Sequence, residues 1–469
     1  MNSYLRRART IVLGACAAGG LLAAVACESR VTDTLLESTD PDLINPSNLD
    51  SPDGADAIRI GALYRFSQST AGAETIWLFG GELADEFTST TTFVQNDEAD
   101  SRSVKDDNTT LLPMYRNLNR ARTGANQAIA ALKKYRATQT ANIGEMYFAR
   151  GYSEMQIAQD FCNGTPLSDA AGSELVYGGP LTNKDVFERA LASFDSAIAI
   201  TTGTDAFSTQ ILNAARVGRA RALVNLNRLA EAATTVAAVP TNFLYTHTYL
   251  QVSGDNQMWS WTNSSFRYSL GDSVEGNARN VLVKNALPFF SAKDSRISGT
   301  YTVKTLAGKP DTLKAQDGQT FFRGNNLYAS REAPVVVASG VDARLVEAEA
   351  KLRTNDVAGM MAILNALRAS PQNLGGLSST VMPALAAPST QDAATTLFFR
   401  EKAFWTFGRG QRLGDLRRLM RQYNRPQDQV FPTGPFFKGG SYGTDVNLPI
   451  PQAELNNPNA QQGCLDRLP

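Results

Sequence analysis

The sequence predicts a mainly α-helical body that carries a long irregular, loop-rich half. Three observations predict it. Apolar residues recur at helical spacing in segments that come in pairs. Alanine and glycine cluster where paired helices would touch. The stretch 240–334, rich in Asn, Ser, Gly, Thr and aromatics, drops that period.

The chain opens with Arg6, Arg7 and Arg9 before an uncharged apolar run over 11–26, which ends in Ala24-Val25-Ala26 ahead of Cys27. A basic start, a short apolar run and small residues before a cut make a bacterial secretory leader; the run is too short for a comfortable membrane span. Small residues directly before a cysteine are also what lipoprotein signal peptidase cuts, leaving Cys27 to carry diacylglycerol. The competing reading is an ordinary secreted protein cleaved nearby. More than one acyl chain makes such an anchor durable. The expected division is a leader over 1–26, a lipid-anchored tether over 27–53 with Pro41 and Pro46, and a single body over 54–469. Removing 26 of 469 residues leaves 443, and losing three of 45 basic residues leaves 42 against 45 acidic ones, a net charge of −3. With no basic tail, and no Lys/Arg stripe beyond Arg409 to Arg421, nothing points to nucleic acid.

Within the body, 57–66, 75–88 and 112–135 carry a helical period, followed by 143–158. Asn183-Lys184-Asp185 opens a helix with Val186, Phe187, Ala190, Leu191, Phe194 and Ile198 on one side. Its antiparallel neighbour, 209–232, offers Ala214, Ala215, Gly218, Ala220 and Ala222 for close approach. Later pairs are 341–353 with 357–369 and 393–407 with 413–423. Units of roughly 34 residues with alanine-rich contacts are tetratricopeptide-like. The four expected pairs span 112–162, 183–232, 341–369 and 393–423. The insert 240–334 interrupts them, with short strands suggested at Leu250-Gln251-Val252 and over 300–305, and loops elsewhere facing solute. A helical frame that fixes variable loops is a common way to build a binding surface.

Of four cysteines, Cys16 leaves with the leader and Cys27 takes the lipid. Cys162 and Cys464 remain. In an oxidising compartment they invite a disulfide closing nearly the whole fold; two separately buried thiols is the alternative.

A set of short signatures, in order along the chain, resembles the RagB/SusD family of outer-membrane nutrient-uptake lipoproteins. Leu448-Pro449-Ile450-Pro451, followed by Glu454 and Asn456-Asn457-Pro458, is similar to the family's proline-isoleucine-proline ending. Leu345-Val346-Glu347-Ala348-Glu349-Ala350 resembles its alanine-glutamate-alanine helix, and Asn365-Ala366-Leu367-Arg368 the partner helix. Glu401-Lys402, Gly410, Arg412 and Asp415-Leu416-Arg417-Arg418 resemble its acidic and arginine segment, although Trp405 and Arg409 stand where two family glutamates are expected. Gly164-Thr165-Pro166-Leu167 and Asp294-Ser295-Arg296 resemble two family turns, the second with Ser in place of Pro.

The resemblance implies a SusD-like α-α superhelix whose four helical pairs form one side of a single body. It also implies a lid on a SusC-like TonB-dependent transporter barrel at the cell-surface side of the outer membrane, capturing an oligosaccharide or peptide. The alternative is a membrane-surface peptide-binding or structural repeat protein with no transporter.

The first solute-binding candidates are Trp259, Trp261, Asn263, Arg267 and Tyr268, where two of the four tryptophans sit in a polar, glycine-flanked stretch. Aromatic faces stack on sugar rings or accept peptide side chains, while Asn and Arg supply directional bonds. The competing role is pinning the loop to the frame or meeting the transporter. Trp77, Asn325 with Asn326, and Tyr328 are further candidates, against a core tryptophan and a simple turn. Glu82 lies one helical turn from Asp85 and Glu86, which favours a solvated face, a cation contact or sugar-hydroxyl binding over a glycosidase pair. Glu347, Glu349, Arg368, Glu401, Arg412, Asp415 and Arg417 read as a structural ion network, because a buried Arg calls for a carboxylate fork. The single histidine, His247, excludes a multi-histidine metal centre, and no phosphate loop, dinucleotide fingerprint or serine elbow is present. Binding without catalysis, metal or cofactor is the expectation.

Overall fold

The computed structural model describes residues 50–469 except 172, 173, 251, 253 and 307. The expected leader, Cys27, the tether up to residue 49 and Gln251 lie outside the described residues.

Helix α1 (Pro52–Gln68) begins where the Ser51 hydroxyl accepts from the Gly54 amide at 3.0 Å and Pro52 fills a position that needs no donor. It lies along α4 (Leu111–Tyr135), which packs on α5 (Thr140–Asp160). Helix α5 in turn packs on α6 (Asn183–Ile200), started by a Thr182–Asp185 capping box, and α6 on α7 (Ala206–Asn225). Gly218 is needed there: a Cβ would stand 2.4 Å from the Phe194 ring. The expected helix over 209–232 is in fact two, because Asn227 adopts a left-handed φ of 60° before α8 (Leu229–Val236). Helix α8 packs on α9 (Gly340–Arg353), and α9 on α10 (Val357–Arg368). Helices α11 (Gln391–Trp405) and α12 (Arg412–Tyr423) face each other through Phe399 and Tyr423, whose rings are 5.1 Å apart. The result is a mainly α-helical, tetratricopeptide-like superhelix.

Two short helices precede it in site-building. Helix α2 (Ile76–Leu83) stops well before residue 88: Asp85 takes a φ of 67° and the chain becomes the strand Phe87–Ser89. Helix α3 (Val94–Asp100) follows, without an expected counterpart.

Strands among the described residues pair only two by two. Leu244–His247 pairs antiparallel with Val335–Ser339, tying both ends of the long insert together. Phe87–Ser89 pairs antiparallel with Tyr268–Leu270, so Ser89 faces Tyr268 and the loop after Ser89 is delivered to the insert. Thr300–Tyr301 and Val303–Leu306 are strands as expected, whereas Leu250 forms an isolated bridge to Gly254 and no named strand.

The core beneath the insert is aromatic. His247 lies 4.6 Å from the Phe66 ring, its Nδ1 is 2.8 Å from the Thr70 hydroxyl, and burial pushes its pKa down to about 3. It is a neutral core residue at physiological pH.

The ion network exists in an altered form. Glu401 receives Arg296 at 2.8 Å and Arg368 at 3.0 Å, while Asp415 receives Lys402 at 2.6 Å and Arg418 at 2.9 Å. Glu349 pairs with Arg418 and accepts the Tyr423 hydroxyl at 2.8 Å. Trp405 stacks on Arg296 at 4.8 Å, and Arg409 forks onto Asp342 at 3.1 and 2.6 Å. Three expected members differ. Glu347 is half-buried and pairs with Arg344 on its own helix. Arg417 has no carboxylate fork: it donates to the carbonyls of Ala158, Gln159 and Phe161 at 3.2, 2.6 and 3.1 Å, closing the end of α5. Arg412 is buried without a hydrogen bond among the described residues, attracted by Glu86, Asp85 and Asp415.

The C-terminal segment returns to α5. Cys162 and Cys464 are disulfide-bonded with Cα atoms 5.8 Å apart. The Cys162 amide donates to Leu448 O at 2.9 Å and the Leu465 amide to Asn163 O at 2.8 Å. Gly164, at φ 112°, is required by this return, since a Cβ would lie 2.7 Å from Gly463 O. Leu448 and Ile450 of the closing segment are buried.

Candidate solute-binding site

The segment after Asn256 is helical rather than a loop. The Asn256 side chain accepts from the amides of Met258 and Trp259 at 2.8 and 3.3 Å, and one turn, Gln257–Trp259, runs into a wider turn, Ser260–Ser264. At helical spacing, residues two apart diverge by about 200°. Trp259 and Trp261 therefore do not form one platform. Trp259 stacks with Arg331 at 5.6 Å, and Trp261 with Arg267 at 4.5 Å.

Arg267 is the centre of the exposed arrangement. Its guanidinium lies between the Trp261 and Phe93 rings, 4.5 Å from each centroid. The ribbon Phe87–Ser89 with Tyr268–Leu270 fixes this meeting, and the Thr90 amide donates to Arg267 O at 2.9 Å. Phe93 is exposed, and Trp261 and Arg267 are half-buried. Gln316 joins the stack to its surroundings, accepting from the Thr91 hydroxyl and the Thr92 amide, both at 2.8 Å.

Thr91 and Thr92 also line an open cleft of about 440 Å³ with Asn277, Asp317, Phe437 and Lys438. Lys438 donates to Asp97 at 2.5 Å and to Thr91 O at 2.9 Å. Asp317 accepts from the Gln319 and Thr320 amides at 2.9 and 2.8 Å and from the Thr320 hydroxyl at 2.5 Å. One aromatic wall with amides and hydroxyls around it suits a polar solute.

Five expected solute contacts make hydrogen bonds within the protein instead, and all but half-buried Asn263 are buried. Trp77 is fully buried and its Nε1 donates to the Tyr152 hydroxyl at 3.1 Å. Tyr268 is buried, donating to Glu74 at 2.5 Å and accepting from Asn96 at 2.7 Å. Asn263 is a clamp, its amide donating to Asn325 O and Tyr328 O at 2.7 Å each. Buried Asn325 accepts from the Tyr328 amide at 2.9 Å, and the buried Tyr328 hydroxyl donates to Gly408 O at 3.0 Å. These side chains hold the insert on the frame.

The carboxylates of 82–86 are buried too, not on a solvated face. Glu82 receives Asn96 at 3.2 Å, Asp85 the Leu287 amide at 3.1 Å, and Glu86 the Gly408 amide at 3.1 Å. Burial raises all three pKa values, that of Glu86 to about 8. Among the described residues, no group of three or more His, Cys, Asp or Glu is placed to hold a metal ion, and no helix is long and apolar enough to cross a membrane.

Phe93, Phe437 and Lys438 were not signalled by sequence. Phe93 follows a run of threonines and Phe437-Lys438 precedes Gly439-Gly440. An aromatic beside such turn-forming residues is a weak mark of an exposed ring.

No protein-family model matches the chain, and no curated protein matches it. Solved structures do. A SusD-like carbohydrate binding protein from Bacteroides fragilis is similar with a TM-score of 0.62 and 14% identity, over 88% of this chain and 99% of its own. A SusD superfamily protein from Bacteroides fragilis gives 0.61 and 17% over the same shares, 88% and 99%. Surface glycan-binding protein A from Bacteroides uniformis gives 0.57 and 14% over 87% and 99%. At such identities the likeness establishes the fold: the body is SusD-like.

Proposed function

We propose that this SusD-like body is an extracellular solute-binding lipoprotein, which captures an oligosaccharide or peptide and passes it to a TonB-dependent transporter barrel in the outer membrane. In this reading Cys27 carries the lipid, 27–53 give reach, and the body closes over the transporter from the cell-surface side. The observation that carries it is the Phe93–Arg267–Trp261 stack, with an open polar cleft lined by the adjoining Thr91 and Thr92, on a fold shared with a carbohydrate-binding and a surface glycan-binding protein. Aromatic faces beside amides and hydroxyls serve retention of a polar ring compound without changing it.

Purification from native membranes in mild detergent tests the partner. Co-isolation of a large β-barrel is expected, and a repeatedly solitary product counts against it. Calorimetry with a glycan and peptide panel tests capture: Trp261→Ala should weaken the bound solute at least tenfold, while Trp259→Ala, on the other side of the turn, should leave it nearly unchanged. Equal losses in both variants would remove the stack from the site.

A further inference from the structure

We propose that the captured solute is an oligosaccharide bearing a carboxylate, and that Arg267 receives that carboxylate. The proposal rests on the solute-capture reading above and names its substrate class.

Arg267 is a preorganised and unpaired cation. Two rings at 4.5 Å hold its plane, yet its side chain makes no hydrogen bond or ion pair with any described residue. Its Nε is shielded from solvent and lacks an acceptor, as does the Nε1 of Trp261, the ring stacked on it. A solute cannot reach those shielded atoms, so its carboxylate would meet the two terminal nitrogens, which make no hydrogen bond or ion pair with any described residue.

The nearby carboxylates do not fill that role. Glu74 feels the Arg267 charge, but burial raises its pKa and it accepts the Tyr268 hydroxyl. Asp97 is held by Lys438, and Asp317 by three donors of its own loop. Of these four charged groups, Arg267 alone has no hydrogen bond or ion pair with a described residue. A planar guanidinium fork matches a carboxylate bidentately, is weakly hydrated, and loses little freedom on binding when its plane is already fixed.

The surroundings favour a sugar acid over a peptide. The cleft beside the stack presents Thr91, Thr92, Asn277 and Thr320, groups that pair with ring hydroxyls, and its aromatic wall is Phe437. Phe93 beside Arg267 is exposed and supplies aromatic surface for the pyranose that bears the acid.

The experiment is calorimetry of the folded protein against uronate oligosaccharides of several linkages (galacturonate, mannuronate and guluronate, glucuronate-bearing xylan, hyaluronan), each paired with its carboxyl-reduced neutral counterpart. Acidic peptides form a further arm. At least one acidic glycan should bind tenfold or more tighter than its neutral partner. R267M should collapse that ratio to near one, and R267K should retain part of it, with unchanged melting temperatures showing intact folds. Equal binding of acidic and neutral partners, an unchanged ratio in R267M, or binding confined to acidic peptides would each overturn the proposal while leaving solute capture intact. Failure of every solute class to bind would overturn the capture reading itself.

Discussion

Arg409 donates two hydrogen bonds to Asp342, the residue that also closes the capping box at the start of α9 by accepting from Ser339. Burial alone would raise the Asp342 pKa, but the charge and hydrogen bonds of Arg409, helped by Arg221 and Gln411, more than offset it, and the net shift is downward. Removing one partner of a buried pair strands the other charge, at a cost of about 3–5 kcal/mol. Arg409→Met should lower stability by that order in denaturant melts. A group with a depressed pKa contributes stability that is present above its unfolded value and lost as pH falls through the folded one. The variant's deficit should therefore shrink under acid; a deficit independent of pH would mean lost packing only.

Glu86 carries the opposite sign. Its Oε2 has no partner, and burial raises its pKa to about 8. The native state holds that proton above the pH at which the unfolded chain releases it. Wild-type stability should fall as pH rises from the unfolded value near 4.5 toward 8. Glu86→Gln keeps the acceptor for Gly408 and removes the titration. Its stability relative to wild type should grow by at most about 1.4 kcal/mol per pH unit in that window. A flat difference between pH 5 and 8 would show that Glu86 is charged throughout.

Tyr268 tests the boundary between frame and site. Tyr268→Phe leaves Glu74 and Asn96 each without one partner, which should cost about 1–3 kcal/mol in thermal unfolding. Solute affinity should change less than twofold, because the hydroxyl faces inward; a tenfold loss with an unaltered melting temperature would return Tyr268 to the solute.

The Cys162–Cys464 bond closes a loop across a sequence separation of 302. Cys464→Ser should lower stability by about 2–5 kcal/mol. Reductant should produce the same loss in the wild type and none in the variant, as read by melting temperature with and without dithiothreitol.

Much of the fold was legible because packing here obeys local rules. The helical pairs show in the 3.6-residue period and in Gly218, which only makes sense opposite a ring such as Phe194. The ends were less legible: Asn227 and Asp85 break expected helices through left-handed backbone that their neighbours do not announce. The site was legible only in part. Trp261 and Arg267 share a short segment and could be found by their types. Phe93 reaches them through a strand pairing between distant parts of the chain, which no local pattern encodes. Trp77 and Tyr268 look like exposed binding aromatics among polar residues, yet each finds a buried hydrogen-bond partner from elsewhere in the fold.

Arg417 gives the superhelix a character unlike that of a modular array. Arrays of stacked repeats tolerate trimming, because each unit leans only on its neighbours. Here the carbonyls that end α5 are answered by a side chain more than 250 positions later, in the last α-helix among the described residues. A ribosome emitting this chain releases an early helix whose terminus stays unsealed until almost everything else has followed. The early pairs are consequently not separable pieces to be borrowed or shortened, and a fragment ending before α12 would expose those carbonyls and the apolar faces around them.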